Sequence, residues 1–385
     1  MIITRLFKEF FDSEKAGGLV LVIVTIISLV IANSPWQTDY VNFWHIEFGG
    51  HSIVHWINDG LMTLFFLLIG LELEREVYRG ELSDLKSAAL PIFGALGGMI
   101  IPIGIFLLFN FGTDMQAGAC IPMATDIAFA IGILSLNGKR VPLSLKVFLT
   151  ALAAIDDLGA IIVIAIFYTT SLAFTNLFIA LGIFGLLIIL NRLKVRNLIP
   201  YLIGGGIMWY FMLHSGVHAA ITGVMLAFAI PFGNGSEKSP SFILQHFLHK
   251  PVAFIILPLF AIANTCIPIG SNWYSGLGQA NSLGIIIGLT IGKPLGILLF
   301  SYIGVTLGLC TLPTELKWKN IIGVGFLGGI GFTMSIFITL LAFDNPDTIN
   351  NSKIAIIIAS IIAATIGIIW LKLTLKKFVV NSTEK

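Results

Sequence analysis

The stretch LTALAAIDDLGAIIVIAIFY (149–168) is apolar over nearly its whole length, yet it carries two consecutive aspartates, Asp156 and Asp157. A run this long crosses a bilayer as a helix, which takes about 20 apolar residues. Acid at its centre is expensive, roughly 2.5–3.5 kcal/mol per charge on the insertion scale. The stretch therefore says both that the chain spans a membrane and that its acids have a use there.

The rest of the chain agrees. Of 385 residues, 57% are hydrophobic and 11% charged, against about 25% charged in soluble domains; the mean hydropathy is +0.97. Punctuation by polar, glycine and proline residues gives twelve transmembrane helices, at 16–33, 57–74, 88–111, 117–137, 147–169, 172–191, 197–213, 215–232, 251–270, 281–310, 320–343 and 354–373. The fold class is thus an all-α polytopic membrane protein, a single integral membrane domain over 1–385. The first span follows Arg5, Lys8 and Lys15 but lacks a clear cleavage site, so it reads as retained and not as a signal peptide. A net charge of +2 gives no reason to expect nucleic acid, and Cys120, Cys266 and Cys310 have no metal-like spacing.

Short loops rich in lysine and arginine stay cytoplasmic. Alternate loops from the N-terminus hold 20 of the 22 basic residues, and the opposite side holds only Lys353. Both termini, 1–15 and the tail 374–385, are therefore expected in the cytoplasm, and 34–56 on the periplasmic side, where Gly49-Gly50 suits a short β-hairpin. The remaining basic residue, Lys293, lies inside the tenth span.

Helix rise puts Asp156 and Asp157 roughly 15 Å from either end of their span. Asp126 and Lys293 fall near the middle of theirs. Four buried ionisable groups cost on the order of 10 kcal/mol, comparable to a domain's net stability. A structural ion pair between Lys293 and one aspartate accounts for part of this and leaves acid over. The surplus is read as the site of a carried cation or proton. Consecutive residues point about 100° apart on a helix, so one aspartate can face Lys293 while the other faces an ion cavity.

The backbone pattern points to the same depth. Gly323, Gly325, Gly328, Gly329 and Gly331 crowd span eleven, and Pro122 precedes Thr125 and Asp126 in span four. Such helices tend to break, and unwound backbone is tolerated in a bilayer only where it lines protein or a wet cavity. Two nucleotide-like motifs fail: GVGFLG (323–328) follows no strand, and GLTIGKP has Pro294 where a P-loop needs Ser or Thr. His214 and His218 have an i,i+4 spacing that suits metal but no third ligand nearby, so a helix-end, pore-lining or pH-responsive role is expected.

ATDIAFA, ALAAIDDLGA, HSGVHA, IGKPLGI and GGIGFTMSIF, in this order, with WINDGLMTLFFLLIGLELERE in span two, resemble the NhaA family of bacterial sodium/proton antiporters. The similarity runs from about Phe10 to Leu373. It implies the fold of this inverted-repeat transporter family, with spans 3–5 and 10–12 as inverted-topology repeats and helices 4 and 11 interrupted. It also implies Asp156 and Asp157 as cation and proton carriers, Asp157 being the principal sodium ligand. Thr125 and Asp126 would lie at one break, Gly328, Gly329 and Gly331 at the other, and Lys293 would compensate helix ends and pair with Asp156.

The expected function is export of Na+ and Li+ in exchange for H+ across the bacterial inner membrane, electrogenic and pH-regulated, by alternating access, with no cofactor and no nucleotide. Glu72, Glu76, His246, His249 and His218 are the candidates for pH response. Gln245 departs from the acid the family often has before His246. Asp59 reads as structural. The resemblance further implies a homodimer joined through the hairpin segment. Two other readings are a sodium-coupled solute symporter, which would need an organic substrate, and an intramembrane aspartyl protease, whose GxGD and YD contexts are missing.

Overall fold

The computed structural model describes residues 2–169, 172–270 and 273–375; the expected tail lies outside them from residue 376 on. The chain is a bundle of helices with one small, exposed hairpin. In order these are α1 (Ile2–Ala32), α2 (Gln37–Trp44), the hairpin β1 (Glu47–Phe48) and β2 (His51–Ser52), then α3 (Ile53–Arg79), α4 (Leu85–Asn110), α5 (Ile127–Ser135), α6 (Leu143–Phe167) and α7 (Phe174–Arg192). They continue as α8 (Ile199–Leu213), α9 (Ile221–Ala229), α10 (Pro240–Asn264), α11 (Ala280–Thr306), α12 (Trp318–Gly328), α13 (Phe332–Ala342) and α14 (Pro346–Thr374).

Among the described residues eight helical segments are long and apolar enough to cross a membrane, or ten if each of two bent pairs counts as one span. The bent pairs are Ala16–Ala32 with α2, at 120°, and α12 with α13, at 48°. The two remaining apolar runs of the expected twelve form α8 and α9, of 15 and 9 residues. α9 is helical for much less than its apolar run because 214–220 forms a turn, whereas α8 falls short of 197–213 by only its first two residues. Large side chains such as Leu108, Phe111 and Leu373 stand 76–84% exposed on the outside, a surface that aggregates in water and is at home in lipid.

Two devices shape the helices near the midplane. α10 and α11 each contain a π-helical turn, Val252–Ile256 and Gly288–Gly292. Each turn holds the residue four before a proline, Phe254 before Pro258 and Thr290 before Pro294. A proline ring displaces the carbonyl four residues back, and a wider turn absorbs the offset. Lys293 follows the second turn directly. The other device is a close approach of α4 and α11: a Cβ on Gly97 would lie 2.1 Å from the Gly296 carbonyl oxygen, and one on Gly296 2.0 Å from that of Gly97. Only paired glycines let the two backbones meet there. In the hairpin, Glu47 pairs with Ser52 and Phe48 with His51, and Gly49 and Gly50 take the positive φ values, 62° and 85°, that a two-residue turn demands.

The two broken segments sit in the middle of two three-helix groups. In one, a 3-10 segment, Asp114–Met123, gives way to extended backbone at Ala124 and Asp126 before α5 begins. In the other, α12 stops at Gly328 and α13 starts at Phe332, with Gly329 and Gly331 as the flanking caps. The segments cross, and the Asp126 N–H donates to the Ile330 carbonyl at 2.7 Å.

Candidate ion site at the crossing of two broken helices

A helix broken inside a membrane leaves N–H groups at one end and carbonyls at the other, with no water to satisfy them. Side chains meet that demand here. Asp126 is the N-cap of α5, accepting from the Phe129 N–H at 3.0 Å. Its other oxygen accepts from the Thr333 N–H at 3.1 Å and the Thr333 hydroxyl at 2.5 Å. One carboxylate thus caps two helix N-termini, where the dipoles favour negative charge. The Phe332 N–H donates to the Ser360 hydroxyl at 3.2 Å.

The carbonyl ends are matched by donors. The Thr125 hydroxyl donates to the Gly328 carbonyl at 2.8 Å, and that of Ser335 to Ile121 at 2.7 Å. Lys293 donates to the Met123 carbonyl. Its ammonium also meets Asp156 Oδ2 at 2.6 Å, with both side chains fully buried. Lys293 therefore serves the end of the 3-10 segment and one aspartate of α6 together. Thr125 lies beside Asp156 as well.

Asp157 is arranged differently. Both aspartates are buried and each has one oxygen without a hydrogen-bond partner among the described residues, Oδ1 of Asp156 and Oδ2 of Asp157, but only Asp156 is paired with Lys293. Asp157 lies within electrostatic reach of Asp156, Asp126, Lys293 and Glu72. A narrow cavity is lined by Arg75, Glu76, Glu72, Ile69, Ile127, Thr150 and Ala154 together with Asp157. Adjacent residues on one helix thus face different ways, Asp156 into an ion pair and Asp157 into the end of a funnel. Its oxygens suit a hard monovalent cation or a proton, and the cavity supplies the way in.

Of the other candidates, Glu72 and Glu76 line that funnel. Gln245, on α10, hydrogen-bonds to Glu72, and Arg75 reaches Glu76 at 3.8 Å. His249 is within electrostatic reach of Arg75 and His246, and His246 stacks on Phe242 on the exposed side of α10; neither lines the cavity. His218 lies elsewhere. Its Nε2 meets Asp59 Oδ1 at 3.1 Å while His55 holds Asp59 Oδ2 at 3.1 Å. His214 instead contacts the Tyr210 carbonyl, and because 214–220 is a turn, the two histidines do not share a helix face.

Sequence reasoning missed Thr333, Ser335 and Ser360, which complete the crossing, and Thr150, which lines the funnel. The one available signal was position: Thr333 stands two residues past the glycine cluster, where a new helix start needs a polar partner.

Residues 8–371 match the family described as Na+/H+ antiporter 1. The Na(+)/H(+) antiporter NhaA 1 of Flavobacterium johnsoniae is 70% identical over 372 residues, covering 97% of this chain and 98% of that protein. The Na(+)/H(+) antiporter NhaA of Flavobacterium psychrophilum is 67% identical over 382 residues, covering 99% and 100%. Among solved structures, the sodium proton antiporter MjNhaP1 from Methanocaldococcus jannaschii at pH 8 overlaps 97% of this chain and 99% of its own at 15% identity and a TM-score of 0.48.

Proposed function

This chain belongs to the Na+/H+ antiporter 1 family, and we propose that its exchange of sodium for protons runs through Asp157, with Asp156 and Lys293 as the second proton-exchanging group. The protein is an integral membrane transporter and not an enzyme; it moves Na+ and H+ and leaves both chemically unchanged.

One observation supports the site reading: the cavity that Glu72 and Glu76 line is also lined by Asp157, a buried carboxylate whose Oδ2 has no hydrogen-bond partner among the described residues. A carboxylate holds a proton or an alkali cation but not both, so loading one unloads the other. Asp126 and Thr125 hold the crossing next to it, and Asp126 adds negative potential that favours a cation. When Lys293 gives up its proton its ion pair with Asp156 opens and frees that carboxylate for the cation, while Asp157 releases the other proton. Two protons for one sodium move net charge, and the membrane potential then contributes ~2.3 kcal/mol per charge per 100 mV. Lithium, another hard monovalent cation, fits the same oxygens. In this reading the cavity mouth and both termini face the cytoplasm of a bacterial inner membrane, an orientation that the excess of basic residues on one side of the spans supports. Alternating access then turns the site towards the periplasm. Glu72, bonded to Gln245, sets the pH response at the mouth together with Glu76, His246 and His249, while His218 on Asp59 serves the other side. The hairpin at 47–52, with Phe48 75% exposed, is the contact of a homodimer.

Competition makes a direct prediction. Sodium binding to purified protein, followed by calorimetry across pH, gains about tenfold in apparent affinity per pH unit wherever one proton is displaced per ion. An affinity indifferent to pH overturns the reading.

A further inference from the structure

The funnel reaches Asp157 from the Glu72 side, and what closes the site on the other side is a different kind of contact. α12 starts near the basic residues Lys317 and Lys319 and ends at the crossing, so α13 continues towards the opposite face. Its first turn is tied to the crossing through Thr333 on Asp126 and Ser335 on Ile121. One turn on, Phe337 projects from it, 1% exposed. Its ring centroid lies 5.5 Å from Phe66 of α3, 6.2 Å from Phe260 of α10 and 5.2 Å from His218, edge-on at 89°.

The three rings that receive it belong to one wall. Asn264 of α10 donates to Asn58 of α3 at 2.7 Å, and His218 meets Asp59 of α3 at 3.1 Å. α9 packs so tightly on α3 that a Cβ on Gly223 would lie 2.2 Å from the Thr63 carbonyl oxygen. The wall is therefore cross-linked within itself, whereas Phe337 stands on the helix tied to the crossing. Between them are ring contacts, which part without leaving a polar group unsatisfied. A ring of apolar side chains closes a pore by excluding water, and reopens it by separating.

We propose that Phe337 is the gate on the far side of the ion site: seated against Phe66, Phe260 and His218 it confines water to the funnel, and withdrawn from them it opens the opposite route. The proposal rests on the reading of Asp157 as the carrier only for what is being gated. A purely structural phenylalanine would affect stability and leave the barrier tight, so the decisive readout is leak.

Purified protein in sealed liposomes under an imposed potential, without sodium, reports proton entry by an internal pH dye. Wild type holds the gradient, and Phe337→Ala loses it, carrying protons that no longer require sodium; Phe337→Leu, which refills the seat, restores the seal. Phe66→Ala and Phe260→Ala, which hollow the seat from the wall, open the same leak and decide the question should Phe337→Ala fail to fold. Folded variants that remain as tight as wild type overturn the gate. Repeating Phe337→Ala on an Asp157→Asn background separates the two ideas: a leak there supports the gate whatever the carrier is, and sodium exchange surviving in Asp157→Asn alone overturns the carrier and leaves the leak result standing.

Discussion

The crossing of the two broken helices and the middle of α6 lie side by side at one depth, yet they treat charge in opposite ways. At the crossing, each named helix end has a side chain assigned to it: Asp126 and Ser360 for N–H groups, Thr125, Ser335 and Lys293 for carbonyls. On α6 the backbone is intact and nothing needs capping, yet Asp156 and Asp157 each keep an oxygen with no partner in the described structure, and Asp157, which has no lysine, lines the cavity. A polar group matched to the backbone holds the fold, while one left over at the end of a cavity is free to bind. Asp156 belongs to both regions, since it balances the lysine that serves the crossing.

The sharpest way to break that comparison is Asp157→Asn. Removing an unpaired buried charge spares the fold, so the variant should purify and melt like wild type while sodium-induced pH change in inside-out vesicles disappears; exchange at a wild-type rate would erase the distinction. Lys293→Met comes next. Leaving Asp156 buried without its partner costs about 3–5 kcal/mol, read by denaturant unfolding in detergent, and adding Asp156→Leu should recover most of it. A double variant no better than the single would mean that Lys293 stabilises through the Met123 carbonyl alone.

A smaller loss belongs to the crossing itself. Thr333→Val deletes one donor to the Asp126 carboxylate, a charged hydrogen bond worth about 1.5–3 kcal/mol, and should lower the melting temperature without abolishing exchange. The smallest effect tests a helix end outside the membrane. Asp84 caps α4 through the Ser87 hydroxyl and N–H, and the bond to the Ser87 side chain, more than the backbone contacts or Lys86, holds its carboxyl below the usual carboxylate range. A lowered folded value means stability present above the ordinary carboxylate range and lost as pH falls through the folded value. Asp84→Ala should therefore weaken the acid dependence of melting slightly and leave exchange untouched.

How much of this the residues announce depends on the kind of signal. Charge in an apolar run is conspicuous, so Asp126, Asp156, Asp157 and Lys293 stand out and their depth follows from counting. The hundred-degree offset between consecutive residues anticipates that Asp156 and Asp157 face different surroundings, but not which one meets Lys293; that choice depends on how α11 leaves its π-helical turn, which no periodicity encodes. Thr333, Ser335 and Ser360 carry no hydropathy signature and act through contacts between distant parts of the chain. Helix length is similarly hidden: 215–232 is apolar enough to span, but α9 is shorter than that run because its first residues form a turn.

The Thr125 hydroxyl and the Gly328 carbonyl are 203 residues apart. A ribosome making roughly 5–20 residues per second needs on the order of ten to forty seconds to get from one to the other. During that interval the nascent chain holds an unwound segment in the membrane with half of its partners not yet synthesised. Biogenesis thus faces its greatest exposure late, when more than four-fifths of the protein has been made, and a stop codon shortly before Trp318 would strand a nearly whole transporter for quality control to destroy.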